Sequence, residues 1–122
     1  MNIWGYKLTI IGICAPHESK GATVKDEFFA YLNEEIVKSG SVRQLVIMVD
    51  MNGRTGRKTG DTVVGNFGED RVNNNSERLI ELCTKTSLKI WNVFFNHKDI
   101  HKYTWVQHTK NLKSITDYIT TK

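Results

Sequence analysis

Residues 45–54 are Leu-Val-Ile-Met-Val-Asp-Met-Asn-Gly-Arg, in which an apolar run is followed directly by a group of polar side chains. Five apolar residues in succession, without helical spacing, predict a strand buried on both faces. The run ends at Asp50, and Asn52-Gly53 predicts a turn behind it. Open α/β sheets bind ligands beyond the carboxyl ends of their strands, so Asp50 is a candidate site residue. Alternatively, Asp50 and Asn52 only form an Asx-type turn, and both interpretations stay open here.

The composition is that of one globular domain, with 122 residues, 39% of them hydrophobic and 25% charged. A net charge of +4 favours a polyanionic partner such as nucleic acid. Cys14 and Cys83 lie in apolar segments without metal-binding spacing, which predicts reduced core thiols in an intracellular protein. Within the cell, the nucleus is one option for its location. The four histidines match no metal motif. No apolar run has the length of a membrane span, so we expect no membrane partner.

The first half of the chain predicts a strand, a helix and a second strand. The first strand covers residues 6–13, and a helix follows from Gly21 to about Lys38, with Thr23 and Asp26 as a capping box. The residues at four-residue spacing predicted to form its apolar face are Val24, Phe28, Leu32 and Ile36. The charged residues expected on its opposite face are Lys25, Glu27, Glu34, Glu35 and Lys38. Strands that alternate with helices are typical of an α/β layered fold.

The second half predicts one more helix and three strands. The helix runs from Ser76 to about Lys85, behind N-cap candidates at residues 73–75. Its predicted apolar stripe consists of Leu79, Ile80, Leu82 and Cys83. Strand-like runs follow at residues 88–95, 103–106 and 114–119. Because the connections between these runs are short, we expect antiparallel neighbours.

A long aperiodic segment separates the two halves. Residues 51–75 are rich in Gly, Asn, Asp and Arg, and Arg54, Arg57 and Lys58 place positive charge beside Asp50. Loops of this length within a compact domain are often functional. The segment is either a solvated surface loop or a phosphate-binding loop.

Several separated motifs occur in the order seen in the endonuclease/exonuclease/phosphatase family. They are Ala15-Pro16 after a hydrophobic strand, residues 50–54, Asn73-Asn74-Asn75 before residues 78–83, Tyr103-Thr104-Trp105, and residues 114–119. The residues of these motifs resemble those of the endonuclease domains of non-LTR retrotransposons. The resemblance extends over nearly the whole chain.

This resemblance implies a partial four-layer α/β sandwich, in which two mixed sheets are flanked by helices, and magnesium-dependent hydrolysis of DNA phosphodiesters. Asp50 would then activate the attacking water, and Asn52 would hold the scissile phosphate. Asp117 would correspond to the residue that orients a catalytic histidine. Thr104 would contact the nucleic-acid backbone, as would the basic residues Arg54, Arg57 and Lys58.

The resemblance covers only the middle of the family's domain. Members also carry an asparagine and a metal-binding glutamate on earlier strands and a Ser-Asp-His motif after the last strand, and none of these is found here. We therefore expect magnesium as the family cofactor, with its principal ligand absent from this chain, and no small-molecule cofactor. A sandwich reduced to its middle part leaves apolar faces uncovered, which predicts poor solubility or association.

Three functional hypotheses follow. The first is a fragment of a magnesium-dependent DNA endonuclease that is inactive by itself. The second is a degenerate, non-catalytic remnant that binds nucleic acid through basic residues, namely Arg54, Arg57, Lys58, Lys102 and Lys113. The third is an unrelated nucleotide-binding module, which the lack of a phosphate-cradling glycine loop between the first strand and the helix disfavours.

Replacement of Arg54, Arg57 and Lys58 by alanine is expected to weaken DNA binding equally for unrelated duplex sequences. Side chains that neutralise phosphates release counterions without reading bases. The logarithm of the binding constant therefore falls with the logarithm of the salt concentration, and this dependence should become less steep by roughly 0.9 for each phosphate that is no longer neutralised. Fluorescence anisotropy across a salt series measures both effects. An unchanged slope would make this segment a solvated surface loop.

Overall fold

A computed structural model describes residues 2–3, 5–40, 44–52, 56, 63–69, 72–96, 98, 102–110, 112–115 and 117–121, which form a mixed α/β domain. Arg54, Arg57 and Lys58 of the basic loop lie outside the described residues. The helices are α1 (Ala22–Ser39) and α2 (Asn74–Thr86). The strands are β1 (Asn2–Ile3), β2 (Tyr6–Cys14), β3 (Gln44–Asp50), β4 (Lys89–Ile90), β5 (Trp105–Gln107), β6 (Leu112–Ser114) and β7 (Asp117–Thr121).

The main sheet has the strand order β1-β2-β3-β7-β4. Strand β3 lies inside it, parallel to β2 and antiparallel to β7, and α1 makes the crossover between β2 and β3. The predicted succession of strand, helix and strand is therefore confirmed. Strands β5 and β6 pair with each other in a separate two-stranded antiparallel sheet.

In the described part of the chain, the main sheet is buried on one face, and the other face is exposed. Leu45, Ile47 and Val49 of β3 are buried, whereas Met48 between them is 52% exposed. The prediction that this strand is buried on both faces is wrong, because both helices pack on the same side of the sheet and alternate side chains point to opposite sides. We call the exposed side the open face; its apolar members among the described residues are Leu8, Ile10, Gly12, Val46, Met48 and Ile119.

Helix α1 packs on the sheet through a stripe shifted from the predicted one. Phe29, Leu32 and Ile36 are buried, but Val24 is 47% exposed and Lys25 is buried in its place. The capping-box prediction is also wrong: Gly21 is the N-cap and makes no side-chain cap bond, so Thr23 and Asp26 both lie inside the helix.

Within the described ranges, no helix combines the length and apolarity needed to cross a membrane.

Helix α2 follows its prediction closely. Asn73 is the N-cap, and its side chain accepts a hydrogen bond from the Ser76 amide at 3.2 Å. Leu79, Leu82 and Cys83 are buried, as the apolar stripe predicts. Burial raises the pKa of the Cys83 thiol to about 12, so this cysteine is a protonated core thiol at ordinary pH. Cys14 is exposed, and the prediction of a core thiol is wrong for that residue because its side chain lies on the open face.

The predicted C-terminal strands are present but shorter and differently divided. The apolar run of residues 88–95 forms only β4, and a 3-10 turn at Trp91–Val93 follows. Residues 114–119 contribute to two strands, β6 and β7. The antiparallel pairing expected across the short connections is confirmed for β5 with β6. It is wrong for the first two runs, because β4 lies in the main sheet beside β7 and β5 lies in the two-stranded sheet.

A glycine turn at residues 65–68 packs tightly against the 3-10 turn. The Phe67 amide donates to the Val93 carbonyl at 2.9 Å. A Cβ atom added to Gly65 would overlap the Val93 carbonyl and would lie 2.6 Å from the Phe94 Cα. Only glycine therefore permits this approach of the two backbones.

We expect Gly65→Ala to lower the free energy of unfolding by about 1–3 kcal/mol, the usual cost of overpacking. Urea denaturation measures this change. Gly12→Ala is the matched control, because a Cβ on Gly12 meets nothing within 4 Å. Equal stability of the two variants would contradict the close approach.

Candidate functional site

The two predicted catalytic carboxylates are cross-strand neighbours. Asp50 ends β3, Asp117 begins β7, and the two residues are paired in the antiparallel register. Directly opposite residues point to the same face, with Cβ atoms about 4.5–5.5 Å apart. Both residues line one cavity of about 680 Å³ over the open face. The prediction that Asp50 and Asp117 share a crevice is confirmed.

The cavity has an apolar floor and a polar wall. Gly12, Met48 and Ile119 of the open face form the floor. The wall includes Lys102 and Thr104, which precede β5. The site therefore lies between the main sheet and the segment that leads into the β5–β6 hairpin.

Asp50 also fixes the backbone conformation of the residues that follow β3. Its Oδ1 accepts a hydrogen bond from the Asn52 amide at 3.1 Å, so the predicted Asx-type turn is present together with the shared crevice. Asn52 adopts a left-handed conformation with φ of 47°, which asparagine tolerates better than most residues. Its Nδ2 donates to the Ala15 carbonyl at 3.0 Å, and Asn52 does not line the cavity. Its role at the phosphate stays a prediction.

The Asp117 backbone is held from both sides. Its amide donates to Thr104 Oγ1 at 3.3 Å, and its carbonyl accepts from Asn92 Nδ2 at 2.8 Å. Asn92 Oδ1 accepts in turn from the Ile119 amide at 3.2 Å. The Asn92 amide group thus continues the pairing of β4 along β7 and fixes the position of Asp117.

Sequence reasoning missed Asn92 as a site residue. It lies in the 3-10 turn after β4, where no local pattern signals a functional role. Its importance follows from the pairing with β7, which only the tertiary structure reveals. The motif order that identifies Asp117 gives no information about the residues that hold Asp117.

Lys102 brings a positive charge to the cavity. Among the described residues that line it, Lys102 is the only cation. Its Nζ donates to the Gly68 carbonyl at 3.2 Å and lies 5.6 Å from the centre of the Tyr103 ring. In the sequence Lys102 is only one of several basic residues, because its place in the lining of this cavity depends on the fold.

Glu18 ties the loop after β2 to the first turn of α2. Its two carboxylate oxygens accept hydrogen bonds from the Asn74 and Asn75 amides at 3.0 and 3.1 Å. A carboxylate at a helix N-terminus is stabilised by the unpaired amides and by the helix dipole. Lys25 Nζ lies 3.4 Å from the same carboxylate, which explains why this lysine is buried and not on the solvent face predicted for it.

Asn75 joins the two loops that border Asp50. Its side chain is fully buried, and its Nδ2 donates to the carbonyls of Pro16 and Met51 at 2.8 and 3.1 Å. The first carbonyl follows β2 and the second follows β3. Asn75, in the first turn of α2, therefore positions the carboxyl ends of these two strands.

The described residues do not provide a complete metal site. In the described ranges, no group of three or more His, Cys, Asp and Glu side chains lies close enough to hold a metal ion. The Asp50 and Asp117 pair supplies two carboxylates. Magnesium binds through one or two carboxylates only when substrate phosphates and waters complete its coordination. A magnesium site built from protein ligands therefore does not fit these residues.

Comparisons of the chain with models of protein families, with curated proteins and with solved structures gave no match. The geometry around Asp50 and Asp117, together with the motif resemblance, is therefore the basis for a functional proposal.

We expect Glu18→Gln to lower the free energy of unfolding by about 1–3 kcal/mol, because it weakens charge-assisted hydrogen bonds to α2 and leaves buried Lys25 without a carboxylate. Thermal or urea denaturation measures the loss. The matched control is Glu35→Gln: the Glu18 and Glu35 side chains are both 33% exposed, but Glu35 pairs with Lys38, which is 63% exposed. Surface pairs contribute about 0–1 kcal/mol, so a similar loss in both variants would contradict the anchoring role of Glu18.

Proposed function

We propose that this chain carries part of the active site of a magnesium-dependent DNA endonuclease of retrotransposon origin, and that the 122-residue chain does not hydrolyse DNA by itself. The observation that supports the proposal best is the pairing of Asp50 with Asp117 at the end of the sheet, inside a cavity. Paired carboxylates in a cavity that a lysine and a threonine also line are suited to phosphodiester chemistry.

Asp50 acts in this proposal as the group that aligns and partly deprotonates the attacking water. A carboxylate can perform this step when its orientation is fixed. The hydrogen bond from the Asn52 amide to Asp50 Oδ1 supplies that orientation. Lys102 provides positive charge for the phosphate at the cavity wall.

Asp117 acts as a positioning residue in the complete enzyme, where it orients a histidine. The bonds from its amide to Thr104 and from Asn92 to its carbonyl hold the Asp117 backbone for that role. None of the four histidines in this chain corresponds to the catalytic histidine of the family.

The proposal includes a four-layer sandwich for the whole nuclease domain. An apolar open face opposite a helix-covered face is what a sheet presents when a second sheet packs on it, about 10 Å away. In that arrangement the described sheet and helices form two adjacent layers. The Asp50 and Asp117 pair then lies at one end of the interface between the sheets.

The chain lacks two groups that this reaction requires. Bound magnesium would neutralise charge that develops on the phosphate, but its principal protein ligand is not among the residues of this chain that match the family. The second missing group is the histidine. Removal of one electrostatic stabiliser typically costs about a hundredfold to a thousandfold in rate, so the loss of two leaves little turnover.

A non-catalytic nucleic-acid-binding remnant is the second candidate function. The Nζ atoms of Lys102 and Lys113 lie 5.6 and 4.5 Å from the centre of the Tyr103 ring. A basic and aromatic cluster of this kind binds nucleic acid through phosphate contacts and stacking without any catalytic group.

We expect the 122-residue chain to bind duplex DNA but not to nick supercoiled plasmid above background in magnesium. Gel analysis of nicking with and without EDTA, beside an Asp50→Ala control, measures turnover. Metal-dependent nicking that disappears in Asp50→Ala would contradict inactivity and would show that other residues of the chain replace the missing groups.

Measurements of DNA binding by variants of the chain test whether the cavity is the DNA site. Lys102→Ala should weaken binding at low salt, whereas Lys38→Ala, an equal charge change on the exposed surface of α1, should not. Equal effects of the two variants would remove the cavity from the proposal.

A further inference from the structure

The segment of residues 65–69 contacts both parts of the chain that hold the Asp117 backbone. Its first contact is with the 3-10 turn, where the Phe67 amide donates to the Val93 carbonyl at 2.9 Å. Asn92, which holds the Asp117 carbonyl, directly precedes Val93 in that turn. This end of the segment therefore helps to determine where the 3-10 turn lies beside β7.

The other end of the segment carries Glu69, which is not one of the described residues that line the cavity. Its Oε2 accepts hydrogen bonds from Ser114 Oγ at 2.9 Å and from the Ile115 amide at 3.1 Å. Both Ser114 and Ile115 are buried. A hydrogen bond to a carboxylate is roughly twice as strong as one between neutral groups, and a buried donor that loses its acceptor is costly. Glu69 therefore anchors the corner between β6 and β7.

This corner determines the position of Asp117 by two routes. Asp117 begins β7, two residues after Ile115. In addition, the Ser114 carbonyl accepts from the Thr104 amide at 3.1 Å, and Thr104 Oγ1 accepts from the Asp117 amide at 3.3 Å. A displacement of the corner would therefore move Thr104 and Asp117 together.

Glu69 is also joined to Lys102, the cation at the cavity wall. The carbonyl that accepts from Lys102 Nζ at 3.2 Å belongs to the peptide group between Gly68 and Glu69. Because this peptide group is planar, anchoring of Glu69 limits its rotation. The Gly68 backbone lies so close to the Gly56 carbonyl that a Cβ atom on Gly68 would overlap that carbonyl oxygen. The acceptor of Lys102 is thus held in one place.

We propose that Glu69 is a positioning residue of the site, which holds the side chains of the cavity wall and the Asp117 backbone in place. Its carboxylate acts on these groups through the backbone and does not touch the substrate. This role does not depend on the reaction that the site performs. Its consequence for DNA binding rests on the proposed function, since that consequence requires Lys102 to contact a phosphate.

Positioning and charge predict changes of opposite sign when Glu69 is removed. Loss of a carboxylate near a DNA site strengthens binding, because repulsion from the phosphates is removed. Loss of a positioning residue weakens binding, because Lys102 no longer has a fixed place at the phosphate. The sign of the change in DNA affinity therefore separates the two effects.

Backbone NMR of the full chain tests the positioning role without DNA. In Glu69→Ala, we expect the amide order parameters of Thr104 and Asp117 to fall from about 0.85, the value of a rigid backbone, toward about 0.6. The order parameter of Ile47, in the central strand of the main sheet, should stay unchanged. Glu69→Gln keeps an acceptor oxygen and should retain most of the order. Glu27→Ala, the same change on the exposed surface of α1, is the matched control.

Order parameters and amide shifts of Thr104 and Asp117 that are unchanged in Glu69→Ala would overturn the proposal. A fall of equal size throughout β3 would also overturn it, because it would show a general loss of stability. If Glu69→Ala does not fold, the same two outcomes decide Glu69→Asp, which keeps the charge but withdraws the carboxylate by one methylene group.

DNA binding tests the consequence for the proposed function. Glu69→Ala should weaken binding to duplex DNA, whereas Glu27→Ala should not. The loss should be smaller in a Lys102→Ala background, because both changes remove the same contact. Fluorescence anisotropy at low salt measures these affinities.

Stronger binding by Glu69→Ala, while Lys102→Ala weakens binding, would overturn the proposal. Unchanged binding in Lys102→Ala would instead contradict the cavity as the DNA site. The NMR measurement would then decide the role of Glu69 by itself, so failure of the proposed function and failure of this inference are distinguishable.

Discussion

The antiparallel pairing of β3 with β7 is the constraint on which the candidate site depends. It places Asp117, from the second half of the chain, directly opposite Asp50. A shift of one residue in this register would turn Asp117 to the helix-covered face and bring Tyr118 out of the core. Tyr118 is buried and donates its hydroxyl to the Ile115 carbonyl at 2.7 Å. Core packing and the carboxylate pair therefore specify the same register.

Local patterns were sufficient for β3 and α2, and the order of the family-like motifs supplied the two carboxylates. The apolar run before Asp50 predicts an internal strand, and the stripe containing Leu79 and Leu82 predicts α2, because both signals are repeated over several neighbouring residues. Asp50 and Asp117 were predicted from motif order. Their common location follows from the antiparallel pairing of β3 with β7, which places the carboxyl end of β3 beside the amino end of β7.

Features that depend on distant partners were not predictable from the sequence. Lys25 has the pattern of a solvent-facing residue, but Glu18 and Asn74 from two other segments make its burial favourable. The exposure of Met48 depends on where both helices pack, which the five apolar residues of β3 do not encode. Asn92 becomes part of the site only because β4 and β7 are neighbours.

The bonds from Glu18 to the first turn of α2 also bear on how the protein opens locally. The first amides of a helix normally exchange their hydrogens quickly, since they lack partners within the helix. Here the Asn74 and Asn75 amides donate to a side chain that is 56 and 57 residues away in sequence. Their exchange with solvent deuterium then requires separation of two segments, so this helix terminus should report opening of the loops beside Asp50 and not fraying of α2.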